Sequence, residues 1–148
     1  MPEDGSLDRK DFDADGAARS DSGVRSDYFV ERDGLVFAGS HLLADFWGVS
    51  GIDDMAGVEA ALREAVEACD ATLLHIHLHR FSASGGISGV AILAESHISV
   101  HTWPERAYAA IDIFMCGKCN PIGAIPVLRR HFRPASVQIC EQKRGLIE

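Results

Sequence analysis

The chain has 148 residues, 47% apolar and 24% charged, enough for one domain whose core needs no disulfide staples. Fourteen Lys and Arg against 22 Asp and Glu give a net charge of −8, which argues against nucleic-acid binding, and no run of 18 apolar residues offers a membrane span. The first residues lack the basic and apolar regions of a secretory signal, so the expected setting is the cytoplasm, with Cys69, Cys116, Cys119 and Cys140 as thiols.

Residues 1–33 hold ten acids and five bases, and up to Ser26 they carry few large apolar side chains. Such a segment cannot bury enough surface to offset the entropy of ordering it, so it reads as a disordered acidic tail before a domain at 34–148. Gly34–Trp47 then reads as a strand with a bend near Gly39. Val58, Ala61, Leu62, Ala65 and Val66 form one apolar stripe at helical spacing, predicting a helix over Gly57–Cys69 with Asp53 or Asp54 as its N-cap. Four strand-like runs follow, at Ala71–Phe81, Gly89–Ala94, His97–Trp103 and Ala107–Met115. Asn120-Pro121 opens a second helix through Phe132, and Ser136–Cys140 forms a last strand. The order β-α-β-β-β-β-α-β implies an α+β fold, with helices on one face of a mostly antiparallel sheet.

Reactive side chains are densest between Glu95 and Glu105. Strand alternation puts Ser96, Ile98, Val100 and Thr102 on one face and His97, Ser99, His101 and Trp103 on the other. Two histidines on one short face need partners or water, because unpaired imidazole is costly to bury. A Ser-His-Asp hydrolase built from Ser96, His101 and Asp112 would lack the strand-to-helix elbow that exposes such a serine, and Ser88 fails that pattern too. His75, His77 and His79 line one strand face, but they span about 13 Å and do not easily share one ion, so no metal is expected. A solvated face or a subunit interface is the other reading of that row. Cys116-Gly117-Lys118-Cys119 has redox spacing without the parallel βαβ setting of a thioredoxin-like site.

Taken together, Glu95-Ser96-His97, His101-Thr102-Trp103-Pro104-Glu105, Tyr108-Ala109-Ala110-Ile111-Asp112 and Cys116-Gly117 resemble the small prokaryotic S-adenosylmethionine decarboxylases. These are pyruvoyl enzymes of polyamine biosynthesis, on the route to spermidine. The resemblance extends to Gly39-Ser40-His41-Leu42-Leu43-Ala44-Asp45-Phe46, His79-Arg80-Phe81 and Gly86-Ile87-Ser88-Gly89, and covers nearly all of residues 34–144. It implies a two-layer α/β sandwich and a proenzyme that cuts itself between Glu95 and Ser96. The products would be a β chain, 1–95, and an α chain, 96–148, headed by a pyruvoyl group derived from Ser96. By the same resemblance His101 removes the Ser96 α-proton, Ser88 supports the ester step, and Cys116 is the proton donor in decarboxylation.

The pyruvoyl would form a Schiff base with the substrate amine and replace pyridoxal phosphate as electron sink. Glu105 matches the acceptor of the ribose hydroxyls, and Phe81 and Trp103 match aromatics that flank adenine. The implied partners are S-adenosylmethionine and a second αβ protomer, two protomers pairing to complete two active sites. Ornithine or arginine on the same chemistry is the alternative substrate.

Overall fold

Apolar alternation determines which side of each strand is covered. In the strand Gly39–Trp47, Leu42, Ala44 and Phe46 are buried while His41, Leu43, Asp45 and Trp47 face the other way. The structure, a computed structural model, describes residues 29–147. Most of the expected acidic tail lies outside these residues. Its last part does not: Val30–Arg32 (β1) pairs antiparallel with Leu35–Phe37 (β2), so ordered structure begins ahead of Gly34. Asp33 and Gly34 both take positive φ, 53° and 76°, the geometry a two-residue Asp-Gly hairpin turn requires.

Among the described residues eight strands and two α-helices follow one another as β1, β2, β3 (Gly39–Trp47), α1 (Met55–Ala68), β4 (Leu73–Arg80), β5 (Ile87–Leu93), β6 (Ser96–Trp103), β7 (Tyr108–Cys116), α2 (Ala124–Phe132) and β8 (Ser136–Arg144). Beyond the first hairpin, six strands form one antiparallel sheet in the order β4-β5-β6-β7-β3-β8. The predicted elements are all present. Ala38 separates the two parts of the first predicted strand, and the second helix opens with a 3₁₀ turn at Pro121–Gly123. There the Asn120 side chain accepts from the Ile122 N–H at 3.3 Å.

Both helices pack on one sheet face. The buried residues of α1 are Val58, Ala61, Leu62, Ala65 and Val66, the stripe seen in the sequence, and Ile125, Val127, Leu128 and Phe132 do the same for α2. Together they cover Leu42, Phe46, Ile87, Leu93, Ile98, Val100, Ile111, Ile113 and Met115. Glu64 on α1 meets Arg130 and His131 on α2, and these hydrogen bonds hold its carboxyl below the usual range. Asp54 caps α1 by backbone conformation alone, without a side-chain bond.

Among the described residues no helix covers the other sheet face. Its apolar side chains include Leu43, Trp47, Phe81, Ile92 and Trp103, each at least 40% exposed. No helix among the described residues is long and apolar enough to cross a membrane.

Candidate active site

Leu93 pairs with Ser96, so Ala94 and Glu95 alone form the turn between β5 and β6. Glu95 carries φ 66°, a left-handed conformation that costs an L-residue about 1–2 kcal/mol. The expected scissile bond leaves this strained residue. Ser96, the first residue of β6, is buried, and its Oγ accepts the Cys116 N–H at 3.0 Å. Cys116 ends β7, half-buried on the open face. Burial pushes its thiol above the ordinary value, Glu95 and Cys119 add to that, and the Ser96 hydroxyl opposes it. The thiol is therefore protonated at neutral pH.

Gly117, at φ 60°, turns the chain so that Cys119 reaches back to donate its thiol to the Asp70 carbonyl at 3.5 Å. Cys69, buried beneath, has a pKa pushed up to about 11 by burial. All four cysteines are free.

A second group of predicted residues stands at the opposite end of the same strands. Ser88 and His101 are directly opposed on β5 and β6 and share a hydrogen bond, Oγ to Nδ1, at 2.9 Å. The His101 ring lies 6.3 Å from that of Trp103, which stacks on Tyr108 at 5.1 Å, which stacks on Trp47 at 4.2 Å. This three-strand ladder is pinned by the Tyr108 hydroxyl, which donates to Asp45 at 2.6 Å, with its pKa pushed up to about 12 by that bond. Phe81 follows β4, edge-on to His79 at 4.7 Å, and Glu105 is exposed in the 3₁₀ turn Pro104–Arg106. The Thr102 hydroxyl ties this end together, accepting from the Ile87 N–H and donating to the Ile52 carbonyl. Gly86 fits where a Cβ would meet the Thr102 carbonyl at 2.8 Å.

The structure thus gathers Glu95, Ser96 and Cys116 in one place and Phe81, Ser88, His101, Trp103 and Glu105 in another. Five residues separate Ser96 from His101 on one strand, about 16 Å, and the odd count puts their side chains on opposite faces. A Ser96–His101–Asp112 hydrolase triad within one chain is excluded by that geometry. His75, His77 and His79 are exposed in a row, opposite Ile92, Val90 and Ser88, and a register shift between Leu73 and His75 exposes Leu74 as well. Among the described residues no three His, Cys, Asp or Glu side chains could hold a metal ion.

Between the two groups lies a band that sequence reasoning left unassigned. His41 and His97 flank Phe114 across β3, β7 and β6, with His41 Nε2 3.9 Å from the Asp112 carboxylate. Burial and His41 lower the pKa of His97, opposed by Asp112. A histidine inside the Gly39-Ser40-His41 string was the available signal.

Fold and site define a two-layer α/β sandwich with a serine and a protonated thiol joined at a strained hairpin. The profile of the S-adenosylmethionine decarboxylase family matches residues 40–145. An S-adenosylmethionine decarboxylase proenzyme of Thermomicrobium roseum is 47% identical over 110 residues, 74% of this chain and 95% of the relative. One of Methanococcus aeolicus is 50% identical over 110 residues, 72% and 93% of the two chains. The crystal structure of the adenosylmethionine decarboxylase from Aquifex aeolicus superposes with a TM-score of 0.68 at 32% identity, covering 76% of this chain and 94% of that one. The chain belongs to the S-adenosylmethionine decarboxylase family.

Proposed function

We propose that this chain is a self-processing proenzyme that decarboxylates S-adenosylmethionine, yielding an aminopropyl donor for spermidine synthesis, and that its active sites form between two copies. The observation that carries the reading is the contact of Ser96 with Cys116 beside the left-handed Glu95. In processing, the Ser96 hydroxyl attacks the Glu95 carbonyl, and the C–N bond gives way to an ester. Removal of the Ser96 α-proton then expels the Glu95 carboxylate. The dehydroalanine left at position 96 hydrolyses, releasing ammonia and leaving a ketone.

That pyruvoyl ketone supplies an electron sink for the carbanion created when CO2 leaves an α-amino acid. The residues present fit such a group: Ser96 is its source, and the Cys116 thiol beside it holds a proton for the substrate carbon. His101 cannot serve the Ser96 of its own chain from about 16 Å away, and Ser88 stands with His101 at that far end. A second copy, turned end for end with its open face against the first, would bring its own Ser88, His101, Phe81, Trp103 and Glu105 to Ser96 and Cys116. The exposed apolar side chains of that face support this pairing, and a two-fold arrangement completes two sites at once. His101 then takes the α-proton with Ser88 orienting its ring, Glu105 accepts the ribose hydroxyls, and Phe81 and Trp103 stack on adenine.

Denaturing mass spectrometry tests the processing, with fragments 1–95 and 96–148 expected, the second lacking a free N-terminal amine. Ser96→Ala gives one uncut chain. Labelled CO2 from carboxyl-labelled S-adenosylmethionine, but not from ornithine or arginine, is expected from the cut protein. An uncut chain that is fully active overturns the reading.

A further inference from the structure

Among the described residues, one buried side-chain polar atom has no hydrogen-bond partner: Nε2 of His41. A buried polar atom left unmet is costly, and native proteins seldom keep one without a use. The Asp112 carboxylate, 3.9 Å away, lies beyond hydrogen-bond reach. The ring is fixed by edge contacts, with centroids 5.8 Å from Phe114 and 6.2 Å from His97. Its position next to the thiol gives the atom a task. His41 faces Phe114 across β3 and β7, and Gly39, two residues earlier, faces Cys116. His41 and Cys116 are therefore diagonal neighbours on the open face, about 7–8 Å apart at their α-carbons. Gly39 contributes no side chain between them, and a Cβ there would meet the Phe114 ring at 3.0 Å.

The carbon that receives a proton from Cys116 is the carbon that has just lost its carboxylate. Before the reaction, that carboxylate is one bond from this carbon and so within a few ångströms of the sulfur. Within this chain the ionisable groups beside Cys116 are Glu95 and Cys119, neither of them a cation, and the neighbouring His97 is held toward its neutral form by burial. The second copy's His101 is already assigned to the Ser96 α-proton. We infer that the His41 Nε2–H receives the substrate's α-carboxylate. This rests on the decarboxylase reading above. A single fixed donor beside the Phe114 ring aims the bond to be broken while leaving the carboxylate poorly solvated, the condition under which it departs most readily.

The substrate and its decarboxylated product separate this role from a structural one, because the product keeps the amine, sulfonium and nucleoside but lacks the carboxylate. His41→Phe removes the donor and keeps a ring, whereas His41→Gln keeps an N–H. In matured His41→Phe the KM for S-adenosylmethionine is expected to rise about tenfold or more, while the product's inhibition constant stays within about twofold. His41→Gln is expected to recover most of the loss. Equal weakening of substrate and product, or no change in KM, overturns the assignment. So does failure of both variants to mature, which would make His41 a folding or processing residue. Absence of CO2 release from S-adenosylmethionine by the unaltered enzyme would instead remove the decarboxylase reading itself.

Discussion

At the β5–β6 turn, Ser96 and Cys116 are tied together through the backbone at partly or fully buried positions, beside a residue in strained conformation. At the other end of the open face, Phe81, His101, Trp103 and Glu105 stand exposed, joined by ring contacts and the Ser88–His101 hydrogen bond. The first end has what bond cleavage needs, a nucleophile beside its own carbonyl and a stored proton. The second has what recognition needs, stacking surfaces, a free carboxylate and an oriented imidazole. Under the proposed function neither end suffices alone. A six-stranded sheet gives one chain a single broad face, and antiparallel strands set the two ends some five residues apart. A two-fold axis through that face is the simplest way to bring unlike ends together.

The sharpest test of this division is complementation. Cys116→Ala lacks the thiol at one end and His101→Ala lacks the imidazole at the other. Each alone is expected to be nearly inactive, while co-expression restores about a quarter of normal activity, because half the dimers are hybrids with one intact site. If both ends acted within one chain, no mixture would recover activity.

A smaller effect distinguishes the roles within the first end. Cys116→Ala is expected to cut itself nearly normally, on gels, yet turn over about 10²- to 10⁴-fold more slowly. If cleavage alone is blocked, the assigned role is wrong. The pH profile carries a sign as well. The folded thiol's pKa is raised, so its proton remains in place above the ordinary thiol value. The alkaline fall in kcat should therefore begin only as pH rises through the raised value, and it should be missing from the residual activity of Cys116→Ala.

The smallest expected effect concerns the strain at Glu95. Glu95→Ala keeps a side chain in the left-handed region, whereas Glu95→Gly removes the penalty. Comparing the two holds the loss of the carboxylate constant. Cleavage of the glycine variant should be slower than that of the alanine variant by about five- to tenfold if the strain is released on the way to the ester. Equal rates would show that the turn only shapes the hairpin.

Most of the fold was legible because its signals are local. The helical stripe Val58–Val66 and the alternation along β3, β6 and β7 appear in the sequence as they appear in the structure. The β1–β2 hairpin was missed because charge in residues 1–33 outweighed its one signal, Asp33-Gly34 between two short apolar runs. The candidate site residues were legible as strings, and so was the alternation that puts Ser96 and His101 on opposite sides. What no local signal carries is the pairing of distant strands. β3 lies between β7 and β8, and this brings His41 beside Phe114 and Gly39 beside Cys116. The sequence by itself determined the elements, their inward faces and the candidate reactive residues, because periodicity and side-chain chemistry belong to the chain. Only the tertiary structure decided which of those residues meet, which lie a sheet's length apart, and which buried nitrogen is left without a partner, because contacts between strands depend on register and strand order.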